Sequence, residues 1–288
     1  MSLNRAYLKE LSRSISRSKT RFLSIMAIIA IGVGFYAGIN ATEPDMVLSA
    51  DRYYKDANLS DFRIISPLGF EEEDIQEVEA LPDIQTVQEG YFADLFVSFG
   101  EDAHIGRIYS YDPEQQDGQN ALNRLRVIEG RLPEKSGEMV IDMNVDVPIG
   151  TEVVVSTPSD TELSDFLHRD TFTVVGKVLS PLYINYERGQ TNIGDGSIDF
   201  YAYVLKKDFA LERVAEIYIQ TKDSRKYTAY TAAYQKHIEP IQDELEKFGK
   251  DQMREKTAEF IEEILDGKRE LEENKATLED ELLKAEQE

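Results

Sequence analysis

The chain has 288 residues, 41% of them hydrophobic, with 13 Phe and 15 Tyr, a size and composition for about two domains with real cores. It has no Cys, which excludes a disulfide framework and any thiolate metal site. A formal charge of −23 argues against nucleic acid as a partner.

That charge is uneven. Residues 1–21 carry six bases, Arg5, Lys9, Arg13, Arg17, Lys19 and Arg21, against the single acid Glu10, whereas the rest of the chain holds 26 bases and 54 acids. Leu3, Ala6, Tyr7, Leu11 and Ile15 recur at helical spacing among these bases. The pattern predicts a basic amphipathic helix on the cytoplasmic membrane surface, serving as a topology signal or as a contact for a cytoplasmic partner.

Phe22 to Ala41 then contains no ionisable side chain. Twenty residues make a helix of roughly 30 Å, the thickness of a bilayer's hydrocarbon core. A buried helix of a soluble domain would show a polar face, and only Ser24 and Asn40 are clearly polar here. A cleaved signal would have a shorter leader and a better cleavage site than Ile39-Asn40-Ala41. The expectation is a retained transmembrane helix, its N-terminus cytoplasmic and residues 42–288 extracellular. Ala30, Gly34 and Gly38 form a small-residue stripe that would let other membrane helices, of the same protein or a second copy, approach closely.

From Asp61 onward short runs rich in Val, Ile, Phe and Tyr predict strands at 62–66, 91–98, 105–110, 138–142, 151–156, 171–178, 200–205 and 215–220. Between the first two, Ile75, Val78 and Leu81 give GFEEEDIQEVEALPDI one apolar edge, acids fill its first turn and Pro82 stops it. Strand, helix, strand in this order predicts a split α/β unit; the later strands predict a compact antiparallel subdomain, and the class is α+β. His104, His168 and His237 fall in no zinc-binding spacing. Asp195 to Asp199 lacks the glycine position and the closing Glu of a calcium loop, and there is no phosphate-binding loop. No catalytic, cofactor-binding or metal-binding residue is predicted, and the chain reads as a non-enzyme.

Ser224 is the expected cap of a helix through Tyr227, Tyr230, Ala233, Tyr234 and Ile238, with Pro240 allowing a kink or a new start. Ile241, Leu245, Phe248, Phe260, Ile264, Leu271 and Leu278 then repeat at nearly 3.5 residues, in a segment with 17 acids and 8 bases. So polar a helix needs a partner strand, and a coiled coil with an extracellular partner is expected. The pattern is still open at KAEQE, which implies either dimerisation or, the favoured reading, that these residues are the front part of a longer chain and the helical segment is truncated. The organisation expected is a basic segment at 1–21, a transmembrane helix at 22–41, an extracellular α+β domain at 42–223 and a helical segment at 224–288.

This order of parts resembles the FtsX-like/MacB-like permeases of ABC transporters, in the long Gram-positive form with an extracellular coiled coil. The resemblance is carried by SRSKTRFLSIMAIIAIGVGFYAG, PDM, DRYYKDANLSDFRIISPLGFEEEDI, VIEGRLPEKSGEMVID followed by VPIGTEVVV, FTVVGKVLSPLYI, and ERGQTNIGDGSIDFYAYV. In the family pattern Glu129, Gly130, Arg131 and Pro133 form a turn, Gly137 and Glu138 open a strand, and Gly150 turns before the next. The resemblance implies a permease subunit that couples a separate cytoplasmic ATPase to an extracellular domain, for export or mechanotransmission. The family has four or more membrane helices, and one span is present here. A single-span surface protein that binds or scaffolds partners through its coiled coil is the alternative.

Overall fold

The computed structural model describes residues 5–100, 102–118, 120–158 and 161–285. They divide into two compact units, one running up to Tyr53 with Thr228–Tyr230, the other comprising Tyr54–Tyr227 and the residues from Thr231 on.

The first unit contains α1 (Arg5–Arg17) and most of α2 (Lys19–Asp56), separated at Ser18. Lys9, Arg13, Arg17, Lys19 and Arg21 are exposed; Leu3 and the side chains of Arg5, Ala6 and Leu11 lie outside the described residues. The apolar segment is exposed along its length, with Ile28 and Ile31 each 71% accessible. Polar side chains in and just after it bond their own helix. Ser24 Oγ donates to the Thr20 carbonyl at 2.9 Å, Asn40 Nδ2 to Tyr36 at 2.8 Å and Thr42 Oγ1 to Gly38 at 2.9 Å. Each is thereby satisfied without a second chain, as an apolar medium requires. The helix passes through Pro44 and ends at Asp56, about 22 Å beyond Ala41 at ~1.5 Å per residue.

The second unit has two sheets. In the smaller, β10 (Val214–Thr221) lies between β1 (Phe62–Phe70) and β2 (Ile84–Gly90), antiparallel to both. Strands β1 and β2 are therefore parallel to each other, joined by α3 (Glu72–Glu79); the strand-helix-strand order is the expected one, but its second strand is 84–90, and the expected strand at 91–98 belongs to the larger sheet. Asp74 caps α3 by accepting the Glu71 N–H at 2.7 Å, and Ile75 and Val78 are its buried face. Ile217 and Ile219 of β10 pack with that face and with α5 (Ala232–Ala285).

The larger sheet closes on itself. Strands β8 (Thr171–Leu179), β6 (Glu138–Asp142), β9 (Phe200–Leu205), β4 (Asp102–Tyr111), β3 (Phe92–Phe99) and β7 (Glu152–Ser156) neighbour one another in that order, and β7 pairs back with β8. The edge strand β5 (Arg126–Gly130) adds to the far end of β8. Alternate residues such as Leu95, Val97, Ile141, Phe172, Val174 and Ala202 point inward and fill the interior, as in small barrels. The expectation of an antiparallel subdomain is corrected here: β4 with β9 and β6 with β8 are parallel pairs. The connections from β4 to β9 and from β6 to β8 are long enough to bring the chain back to the same end.

Two further expectations fail for physical reasons. No helix starts at Ser224, because residues 224–226 form a single 3-10 turn and Tyr230 has φ 61°. Helix α5 starts at Ala232, with the Thr231 hydroxyl accepting the Tyr234 N–H at 3.3 Å, and runs through Pro240 unbroken. Nor do Ile241, Leu245 and Phe248 lie on a coiled-coil seam. Ile241 and Leu245 are buried under the three-stranded sheet with Phe248 packed beside them, because that sheet's apolar face needs a cover.

Candidate functional site

The second unit holds the C-terminal end of α2 by a dense set of polar contacts. Asn58, at φ 51°, supplies the left-handed residue that ends a helix, and leaves carbonyls in need of donors. Arg225 reaches the Tyr54 carbonyl of the last turn at 3.5 Å and also donates to Leu59 O at 2.5 Å and to Asn58 Oδ1 at 2.7 Å. A guanidinium at a helix C-terminus also meets the negative end of the helix dipole. The Gln220 amide, with its oxygen turned toward Arg225, accepts from Nε at 2.6 Å.

Residues 121–124 complete the clamp. Asn123 N–H donates to Asn58 O at 3.0 Å and Arg124 N–H to Ala57 O at 2.8 Å. Asn58 Nδ2 donates to Ala121 O at 2.7 Å, and Asn123 Oδ1 takes the Ser60 N–H at 3.0 Å. Three residues past Asn58, the Asp61 carboxylate accepts Thr221 N–H at 2.8 Å and Tyr234 Oη–H at 2.9 Å. The end of α2, the end of the middle strand β10 and the first turn of α5 are thus tied within a few residues. Within the first unit, Asp51 Oδ1 accepts the Ala229 N–H at 2.8 Å.

Within the small sheet, Arg63 of β1 pairs with the buried Glu216 of β10, and Arg63 in turn touches the barrel. Arg63 Nε donates to Glu216 Oε2 at 2.6 Å, and Tyr218 Oη donates to the other carboxylate oxygen. The Arg63 guanidinium lies over the Phe92 and Tyr109 rings and reaches Tyr109 Oη at 3.3 Å. Burial drives the Glu216 pKa up against the opposing pull of Arg63. Burial also drives up the phenols of Tyr109 and Tyr218. These groups are locked structural polar contacts, with Tyr183 Oη closing the chain to Tyr109 at 2.6 Å.

The turn residues of the family pattern do structural work of the kind their types suggest. Arg131 holds Glu138 through two bonds, at 2.7 and 2.5 Å, while Glu138 Oε2 also accepts the Glu134 N–H at 2.9 Å. The Arg131 contact, helped by the backbone N–H groups, holds the Glu138 pKa down at about 2. Gly130 has φ 74°, and a Cβ there would collide with the Val175 carbonyl oxygen. Gly150 has φ 92° and donates to Val174 O at 2.7 Å. Gly137, at φ 87°, opens β6, and its N–H reaches Asp208 Oδ2 at 3.3 Å. Pro133 and Glu129 lie on the same segment, Glu129 paired with Lys177 across the β5–β8 ladder.

The remaining expected positions are brought to no site. Ala30, Gly34 and Gly38 are exposed, and a Cβ on either glycine would meet nothing within 4 Å. Phe260, Ile264 and Leu271 are exposed on α5 at 55%, 55% and 70%; the side chain of Leu278 lies outside the described residues. Among the described residues no group of three or more His, Asp or Glu is placed to hold a metal ion. His237 is engaged by the Lys222 carbonyl at 2.9 Å and stacks on Tyr227. Sequence reasoning missed the clamp: Asn58, Asn123, and Gln220 with Arg225 come from three separate segments, and only the left-handed preference of Asn gave a local signal.

No protein-family model matches the chain, and no curated protein matches it. Among solved structures the overlap is with extracellular and periplasmic domains. One is the extracellular domain of the noncanonic ABC-type transporter YknZ from Gram-positive bacteria: 15% identity, TM-score 0.33, covering 60% of this chain and 79% of that one. Another is the periplasmic region of MacB from Actinobacillus actinomycetemcomitans, with 14% identity, TM-score 0.31, and coverage of 63% and 75%. Overlap at this level carries no residue-to-residue correspondence.

Proposed function

We propose that the chain is part of an ABC transporter permease of the FtsX-like/MacB-like type, and that it couples a cytoplasmic ATPase to an extracellular domain. The observation that carries this reading is the clamp on the end of α2. A membrane helix that only anchors needs a flexible tether. Here one uninterrupted helix contains the apolar segment, and its end at residues 54–59 makes six hydrogen bonds with two segments of the strand-rich unit, residues 121–124 and Arg225. A helix end gripped in this way within the strand-rich unit suits coupling, which needs the helix end to be held by the domain it acts on. The ordered family phrases support the same reading, since Gly130, Arg131, Gly137, Glu138 and Gly150 sit at turns that demand those residue types.

In this reading α1, with Lys9, Arg13 and Arg17, lies at the cytoplasmic face near the ATPase. The Ala30, Gly34 and Gly38 stripe faces neighbouring membrane helices, and the domain from residue 42 on is extracellular. The exposed half of α5 acts as one strand of a coiled coil with an extracellular partner, its seam reduced to Phe260, Ile264 and Leu271 with Leu278. Hydrolysis of ATP belongs to the partner subunit.

The test is purification of the full-length chain from its native membrane in mild detergent. ATP hydrolysis should copurify with it, and nucleotide should change proteolytic protection of α5. Arg225→Met should retain the hydrolysis and lose the nucleotide-dependent protection. Absence of any copurifying nucleotide hydrolysis would sink the reading.

A further inference from the structure

Where β1 bulges between Ile65 and Phe70, a cleft of about 230 Å³ opens between the strand and α5. Ile64, Ile65, Leu68 and Phe70 form one wall, and Phe248 and Met253 the other. Three features of the sequence keep it open. Pro67 has no N–H to give to a ladder. Gly69, at φ 77° against the Arg213 side chain, turns the backbone, and the Ser66 hydroxyl braces that turn by donating to Gly69 O at 3.0 Å. Across the cleft, Gly249 stands inside α5, where glycine weakens a helix, and a Cβ there would meet nothing within 4 Å. Close packing does not require this glycine; it leaves space that a side chain would take.

The charged and amide groups around this space are already engaged. Lys256 Nζ donates to Asp74 Oδ2 at 2.6 Å, the Glu71 N–H to the same oxygen at 2.7 Å, and Gln252 Nε2 to Glu77 Oε2 at 3.1 Å. With Ser66 bonded to Gly69, these lining groups are matched within the protein, and the walls recognise a ligand by apolar contact rather than by ion pairing. The volume exceeds the ~150 Å³ that holds a benzene ring in a dry apolar cavity. One Leu or Phe side chain would leave part of the cleft unfilled, whereas an extended aliphatic chain fills it.

We propose that this cleft binds the aliphatic chain of an amphiphile. The chain lies between the β1 bulge and Gly249, and the polar head stays at the open side, beside the exposed Thr257. A free fatty alcohol and a lipid's acyl chain share this chemistry, and the test separates them. The inference does not depend on the coupling reading.

The experiment uses the full chain in nanodiscs. Because the chain has no Cys, Thr257→Cys puts a single thiol at the cleft, and Glu244→Cys puts one at an exposed position of α5 that does not line it. The readout is the rate of modification by a water-soluble maleimide. A ligand at several times its Kd, 1-decanol here, should slow the thiol of Thr257→Cys about fivefold and leave that of Glu244→Cys unchanged. At the same concentration 1-butanol, too short to fill the cleft, should slow neither. Decanoyl lysophosphatidylcholine is the second long-chain probe. Protection by both long-chain probes assigns the site to the chain whatever carries it, by decanol alone to a free chain, and by the lysolipid alone to a lipid-borne one. Gly249→Leu, added to Thr257→Cys, fills the space from the helix side and should cancel the protection while the thermal melt stays in place or rises. Protection by neither long-chain probe, equal slowing at both thiols, equal protection by 1-butanol, or protection that survives Gly249→Leu overturns the proposal. None of these readouts involves nucleotide, so failure here is separable from failure of the coupling reading.

Discussion

Glu138 accepts two hydrogen bonds from one guanidinium and two from backbone N–H groups, those of Glu134 and Lys135, and the pH dependence of the fold should show it. Its pKa falls from 4.5 to about 2 on folding. A depressed carboxylate contributes stability that is fully present above its unfolded pKa and is lost as pH falls through the folded value. Urea titrations of wild type and Glu138→Gln should therefore differ at pH 7, by about 1 kcal/mol for a partly solvated ion pair, and converge between pH 4.5 and 2. A gap that persists unchanged to pH 2 would mean that packing, not charge, is what the substitution removes. Gly130→Ala tests the same turn by sterics. The left-handed φ and the collision with the Val175 carbonyl should cost about 2 kcal/mol or more, read as a lower denaturation midpoint at unchanged slope.

Among the elements, the segment over the barrel's outer face is pinned by one buried pair. Arg188 Nε donates to Asp142 Oδ2 at 2.6 Å, with side chains 5% and 2% exposed, and the guanidinium lies over the Tyr183 and Tyr201 rings. Arg188→Met should destabilise by about 3–5 kcal/mol, because it strands a carboxylate that water does not reach. Adding Asp142→Leu should restore much of that loss, and a calorimetric double-mutant cycle measures the coupling. These elements also show what the sequence made legible. All eight strands expected from β-branched and aromatic runs exist, and α3 stands where its apolar edge, acids and Pro82 place it. Strand β2, IQTVQEG, escaped because five of its seven residues are polar or Gly, and β5 because all five of its residues are exposed and resemble a turn. Ile241 and Leu245 carried a valid helical period, but a period reports an apolar face and not what covers it. The clamp was illegible for a related reason: Arg225 and Asn58 are 167 residues apart, and hydrogen-bond partners at that distance leave no local pattern.

For the molecule as a whole, the absence of Cys makes topology directly measurable. Single substitutions Ser14→Cys and Glu244→Cys, both at exposed positions, place one thiol on either side of the apolar segment. In intact cells a membrane-impermeant maleimide should label the Glu244 site and spare the Ser14 site until the membrane is opened. The reverse labelling pattern would invert the orientation. Trypsin should cut first at Lys268 and Arg269, which are exposed on the bare half of α5, and leave a resistant core containing the barrel.

The placement of β10 sets the order in which the chain can assemble. The two flanking strands of the small sheet, β1 and β2, share no ladder with each other and must wait for residues 214–221. During synthesis the closed barrel is spelled out in between, so the strands nearest the membrane segment emerge early and pair last. Until then their edges stay open, and an apolar edge left waiting is exposed to wrong partners. The residue that finally locks the end of α2, Arg225, is made four positions after β10 ends. A ribosome must pass that point before the helix end is gripped, so the fixing of residues 54–59 is a late event in the life of each new chain.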